Sequence, residues 1–216
     1  MNLFDPSPRS ALEYLPERHD LPSLKQAAAH CHGCDLYQRA TQVVFGEGRA
    51  NAAVLFVGEQ PGDREDQQGR PFIGPAGLLL DKCLESAGID RREVYVTNAV
   101  KHFKWEPRGK IRLHKKPNSL EIAACRPWLE AEIEAVQPQL IVCLGATAAQ
   151  DVLGSQFRLT KHRGEVLPTK YGPVTATIHP SAILRMPEPE AKEAEIVSLV
   201  SDLKVAARYI SAQRAR

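Results

Sequence analysis

No apolar run in this 216-residue chain approaches the roughly 20 residues that a membrane-spanning helix needs. The opening MNLFDPSPRSALEYLPERHD likewise lacks the apolar centre of a secretory signal. The expectation is a cytoplasmic protein with no membrane partner. Internal repeats and low-complexity tracts are also missing, which sets aside solenoids and fibrous classes. Cysteines number five, and an odd count excludes a fully paired disulfide framework. In a reducing compartment, metal ligation or burial has to account for the thiols. The net charge is only +2, so the whole-molecule charge names no partner. Hydrophobic content of 43% and charged content of 25% are ordinary for a globular chain. The length suits one large α/β domain or at most two small ones.

The charge that is present is clumped. Lys101, Lys104, Arg108, Lys110, Arg112, Lys115 and Lys116 stand against Glu106 alone, a quarter of the chain's 28 basic residues. Such a cluster is the local footprint expected for a polyanion, and the interleaved Phe103 and Trp105 favour nucleic acid. Inside it, GKIRLHKKPN places His114 beside Arg112 and Lys115. Those cations are expected to disfavour the imidazolium. A neutral imidazole is a nucleophile or a ligand, so His114 is a candidate for either.

Residues 1–20 read as a loosely ordered arm, and residues 21–216 as a single domain. A short helix at Ser23–His30 leads into CHGC. AAVLFVGEQPG, VYVTNAV, QLIVCLG and VTATIHPS read as buried strands. GPAGLLLDKCLESAGI, SLEIAACRPWLEAEIEAVQ with Ser119 as its cap, ATAAQDVLG and EAEIVSLVSDLKVAARYI read as the helices between and after them. This alternation predicts a mainly parallel sheet with helices on both faces. Ligands of such sheets sit beyond the carboxyl ends of the strands. GEQPG, Asn98, the basic loop and HPS then all fall on one rim.

Cys31 and Cys34 form C-x-x-C without the following histidine of a haem attachment site. Two thiolates at this spacing bind one metal centre if two further ligands are found. Cys83 lies on an apolar helix face and Cys143 in the middle of a strand, so both read as small core residues. Cys125 and His102 flank the basic loop. A site of Cys31, Cys34, His102 and Cys125 would pin both ends of that loop to the N-terminal segment, and spacing alone leaves zinc and iron–sulfur both open.

GEQPGDRED, RPFIGPAGLLLD, YVTNAVKHFK, ACRPWLEAE, LGATAA, HRGEV and HPSAILR, together with the histidine-bearing loop, resemble in order and spacing the uracil-DNA glycosylase superfamily. More closely they resemble its iron–sulfur branch, and within that the covalent uracil-DNA-binding UdgX group. The resemblance spans about Cys31 to Arg185. It implies a three-layer α/β/α fold around a central four-stranded parallel sheet. It implies a [4Fe-4S] cluster held by Cys31, Cys34, His102 and Cys125, with His102 where ordinary members of the branch have cysteine. In the K-R-R-I-H loop of the UdgX group, Lys110, Arg112 and His114 are kept here and Ile111 replaces the first arginine.

The resemblance also implies roles for single residues. Phe72 stacks on a flipped uracil and Asn98 reads its edge, while Glu59, Gln60 and Asp63 belong to the same site. His179 donates to the uracil oxygen as charge develops there. Lys110, Arg112 and Lys115 meet phosphate. His114 attacks the sugar C1′ in place of water, with Glu59 orienting or deprotonating it, and the protein stays joined to the abasic site after one turnover. The implied partner is uracil-containing DNA, preferably single-stranded, bound by a monomer that is cytoplasmic and at the nucleoid when on DNA. Two other readings remain: a multiple-turnover glycosylase in which His114 merely binds DNA, and a non-catalytic uracil-DNA binding module.

Overall fold

Three five-residue strands with every residue buried, and a fourth buried over its last four residues, form the parallel centre of the sheet in the computed structural model, which describes residues 9–214. The chain enters through a 3₁₀ turn at Ala11–Tyr14 and then α1 (Leu21–Ala28). α1 starts where it does because the Asp20 carboxylate accepts the Ser23 N–H and Pro22 occupies the first turn. β1 (Glu47–Gly48) and β2 (Val54–Gly58) follow, then α2 (Asp63–Gln68), α3 (Pro75–Ser86) and β3 (Val94–Asn98). Beyond β3 the chain makes a hairpin of β4 (Trp105–Arg108) and β5 (Ile111–His114). It then forms α4 (Ser119–Val136), β6 (Leu140–Leu144), α5 (Ala146–Leu153) and α6 (Leu159–His162). β7 (Leu167–Thr169), β8 (Gly172–Thr177), α7 (Pro180–Leu184) and α8 (Pro189–Arg214) complete it.

The sheet order is β1-β3-β2-β6-β8-β7. β3, β2, β6 and β8 run parallel, and the short β1 and β7 pair antiparallel at the edges. The parallel α/β/α core expected from the sequence is therefore present, with two edge strands that the sequence reading missed. Alternate residues of each strand pack on opposite faces. Phe56, Val96 and Val142 meet Leu84 of α3 and Leu203 of α8, while Val57, Tyr95 and Ile141 meet Leu129 of α4 and Ala149 of α5. A third cluster lies outside the sheet, where Leu24 and Ala28 of α1 pack on Trp128 of α4.

Three local expectations change. The helix read as starting on a Ser119 cap is capped by Asn118, whose side chain accepts the Glu121 N–H while Glu121 bonds back to the Asn118 N–H. Pro127 sits inside that helix, removing one backbone bond that packing must offset, a cost of about 3 kcal/mol. The basic loop is the β4–β5 hairpin, closed by Gly109 at φ +60°. Of the arm expected at residues 1–20, residues 1–8 lie outside the described residues, while Ala11 is buried and a Cβ on Gly33 would lie 2.6 Å from its amide nitrogen.

Candidate active site

The carboxyl ends of the parallel strands border a cavity of about 530 Å³. Gln60, Asp63, Phe72, Asn98, His114 and His179 all line it. Its floor is set by close approaches that only glycine permits. A Cβ on Gly58, at the end of β2, would collide with the Asn98 amide and the tip of the Phe72 ring. A Cβ on Gly77 would overlap the Phe72 carbonyl. Phe72 itself is held at φ +56°, a left-handed conformation that is strained for a bulky residue and tends to mark functional sites. Asn98 is 3% exposed, and its backbone carbonyl accepts from the buried Lys101 ammonium at 2.7 Å.

His179 caps α7, and its Nδ1 accepts the Ser181 N–H at 3.1 Å. That bond puts the ring proton on Nε2, which is free to donate. Burial, with Arg185 and His114 adding to it, pulls the His179 pKa down to about 4. The ring is neutral near pH 7, a hydrogen-bond donor without charge. Its plane lies 27° from that of Phe72, with ring centroids 6.2 Å apart.

The hairpin carries His114 over this floor. Its ring is held from below by the GEQPG loop. The Gln60 amide is oriented by the Lys104 N–H, which its Oε1 accepts at 2.9 Å. Its Nε2 therefore faces the Lys115 carbonyl and His114 Nε2, each at 2.8 Å. Because an amide NH₂ only donates, His114 Nε2 carries the lone pair and Nδ1 the proton. Glu59 Oε1 lies 3.6 Å from the same nitrogen. The His114 pKa is lowered, chiefly by burial, against the opposing Glu59 charge and with help from Arg185. The expected neutrality is present, but its cause is not the one expected from Arg112 and Lys115.

Those two cations are occupied elsewhere. Arg112 turns inward between Asp63, at 2.5 Å, and the buried Asp66, also at 2.5 Å, and packs over Phe103 and Trp105. Lys115 pairs with Glu106 across the hairpin at 2.8 Å. Lys101 is buried against Glu132 and Lys104 pairs with Glu121. A linear count of basic residues misses this internal pairing. Arg108, Lys110 and Lys116 stay exposed, and none of the three has a carboxylate partner among the described residues. Asp63, expected at the substrate, holds Arg112 while still bordering the cavity. Gln60, also expected at the substrate, clasps the hairpin.

The cysteines separate as their sequence context suggested. Cys31, Cys34 and Cys125 share the cluster around Trp128, whereas Cys83 and Cys143 lie in the two faces of the main core. N–H groups point at two of the sulfurs: Trp128 Nε1 at 3.2 Å and Gly33 at 3.4 Å donate to Cys31, and Lys101 at 3.3 Å donates to Cys125. Burial raises the Cys34 thiol to about 11 and the Cys125 thiol higher still, with the neighbouring cysteines adding to both. His102 is buried and its pKa falls to about 4 for the same reason. Among the described residues, no group of three or more His, Cys, Asp or Glu side chains closes into a metal-holding arrangement. The donor set still suits a soft metal centre, since three thiols and a neutral imidazole are buried with N–H groups already on Cys31 and Cys125.

Sequence reading named no role for Gly58, Asp66, Thr147 or Arg185, although each stands in a quoted motif. Thr147 donates to Glu59 Oε2 at 2.5 Å, and the hydroxyl in LGATAA was the available signal.

Residues 45–204 match the Uracil DNA glycosylase superfamily. A Type-4 uracil-DNA glycosylase of Thermotoga maritima is 42% identical over 157 residues, 72% of this chain and 78% of that protein. One from Sulfurisphaera tokodaii is 38% identical over 176 residues, 77% of each chain. One from Archaeoglobus fulgidus is 37% identical over 166 residues, 73% of this chain and 80% of its own. With that match across the cavity-bearing domain, and relatives of that identity along most of their length, the chain belongs to the uracil-DNA glycosylase superfamily and, within it, to the Type-4 family.

Proposed function

We propose that this chain excises uracil from DNA and then bonds through His114 to C1′ of the sugar it has exposed, as a member of the UdgX group. Excision is the activity of its family. Capture is the finer reading. The observation that carries it is a neutral His114 ring whose Nε2 lone pair borders the cavity between Gln60 and Glu59.

The substrate is uracil-containing DNA, with a single strand preferred because a base there leaves its stack without breaking a pair. Phe72 takes the face of the ring. The Asn98 amide donates to one uracil carbonyl and accepts from the ring N–H. Cytosine carries an amino group where that donor points, so it is refused. As the N1–C1′ bond breaks, its electron pair stays on uracil, and the neutral His179 donates Nε2–H to the oxygen where charge grows. The cationic C1′ then accepts the Nε2 lone pair of His114. Glu59 offsets the imidazolium so formed until its Nδ1 proton passes to solvent. The resulting N-alkyl imidazole has no good leaving group, so the protein is spent.

One contact favours the rival reading, a hydrolytic enzyme that turns over. Gln60 donates into the lone pair that must attack, so capture requires that bond to be given up when DNA binds. Denaturing electrophoresis after mixing with a uracil-containing single strand separates the two. Capture gives a slow-migrating species that His114→Ala abolishes while uracil release continues by water attack. Free abasic DNA from the wild type, or an adduct persisting in His114→Ala, would refute it.

A [4Fe-4S] cluster would be held by Cys31, Cys34, His102 and Cys125, and would tie α1, α4 and the root of the hairpin together. No step of the excision passes through it. The purified protein is expected to be brown with about four irons per chain, as four ligands for a cubane cluster imply. Cys125→Ser should lose that iron and Cys143→Ala should keep it. One zinc and no visible absorption would exclude the cluster.

A further inference from the structure

The sheet reverses its strand order between β2 and β6, and α5 begins on the β6 side of that crevice. Thr147, in the first turn of α5, reaches across it. The residue is 7% exposed, and its hydroxyl donates to Glu59 Oε2 at 2.5 Å. The other carboxylate oxygen, Oε1, is the one that stands 3.6 Å from His114 Nε2. We propose that Thr147 is a positioning residue: it ties down one oxygen of Glu59 so that the other stays turned to His114, and so it biases the exposed sugar toward imidazole rather than water. This rests on the covalent reading above.

The backbone of Glu59 is fixed, since its carbonyl accepts the Val100 N–H at 3.1 Å. Its side chain is only partly buried. It has three free torsions and is 22% exposed, so a path into water is open. A charge-assisted bond from a buried hydroxyl closes that path. The same turn seats the other half of the chemistry. Gly145 stands at φ +90° with its missing Cβ only 3.1 Å from His179 Cβ. Leaving-group and capture residues are thus both indexed to the start of α5, by two different atoms. Loss of the Thr147 hydroxyl bears on the capture side. Glu59 offsets a charge that appears on His114 only as the new C–N bond forms, whereas uracil departure is assisted by Asn98 and His179, which Thr147 does not touch.

The test uses the intact protein and a uracil-containing single strand, with uracil release and SDS-stable adduct measured in the same samples. Thr147→Val keeps the volume and removes the donor; Thr147→Ala is run beside it, so that a misfolded valine variant does not decide the matter. Both are expected to slow adduct formation about tenfold, the effect of one charge-assisted hydrogen bond. Uracil release should fall less, so protein-free abasic DNA accumulates. Thr147→Ser should restore the adduct-to-uracil ratio, and in a Glu59→Gln background Thr147→Val should alter it little further. A ratio equal to wild type in both donor-less variants, no rescue by serine, or an undiminished effect in Glu59→Gln overturns the role of Thr147. Wild type that releases uracil with no adduct overturns the capture reading itself, and is seen before any variant is made.

Discussion

The floor of the cavity and the hairpin above it hold their functional side chains by opposite means. Asn98 ends β3, His179 caps α7 and Phe72 sits in the turn ahead of α3, all backed by the core and by glycines that leave no spare room. His114 stands on a two-stranded ribbon whose outer residues are open, Ile111 being 69% exposed. An isolated hairpin of this length has no stability of its own. It is held by polar contacts: Gln60 to Lys104, His114 and Lys115, Arg112 to Asp63 and Asp66, and Trp105 Nε1–H to the Arg39 carbonyl. Reading a base needs fixed geometry, which close packing supplies. The capture proposed for His114 asks instead for a group that can approach C1′ once the base has gone, and an element held by side-chain bonds can give way without disturbing the floor.

The sharpest break in that comparison comes from the floor. Asn98→Ala removes both amide contacts to the uracil edge while leaving β3, the Lys101–Asn98 backbone bond and the hairpin contacts in place. Single-turnover uracil release is expected to fall about 10²–10³-fold, as for loss of a preorganised donor at a developing charge. Adduct formation should fall in parallel, because no sugar cation is made. A near-normal release rate would take Asn98 out of base reading, and the floor would then be no more than a packing surface.

The floor was legible because it follows from patterns that strands and loops impose. Apolar runs ending in GEQPG, in Asn98 and in HPS place those residues at one rim whatever the side chains do. The hairpin was only half legible. Its charge and its histidine were visible, but strand pairing at Trp105–His114 rests on a turn at Gly109 and on anchoring of Arg112 by Asp63 and Asp66, which lie 49 and 46 residues earlier in the chain. A carboxylate that distant cannot be assigned to a given arginine from spacing, so Arg112 read as a phosphate ligand. The partner of Lys101, counted in the same basic cluster, was equally out of reach. That partner, the buried Glu132, lies a turn before the end of α4, where a helical carboxylate ordinarily faces water. The edge strands β1 and β7 were missed because two or three residues carry no periodicity.

The smaller effects lie on the hairpin and separate anchoring from phosphate contact. Arg112→Ala leaves the buried Asp66 carboxylate with Thr41 alone and removes the cation from the Phe103 and Trp105 rings. Breaking a buried pair of this kind is strongly destabilising. The expected result is a lower melting temperature and adduct formation slowed about tenfold, a loss of roughly 1.4 kcal/mol in positioning His114. The slope of log K against log salt should stay unchanged, because no phosphate contact is lost. Lys110 stands exposed at the turn, so Lys110→Ala should do the reverse. Affinity at moderate salt should weaken only about twofold and stability should not move, yet the salt slope should flatten by about 0.7 for a single strand, one released counterion. If the two results come out exchanged, with Arg112→Ala flattening the slope and Lys110→Ala leaving it alone, the hairpin must rotate on DNA and hand Arg112 from its carboxylates to a phosphate. The clasp seen in the free protein would then be the resting position of a moving part.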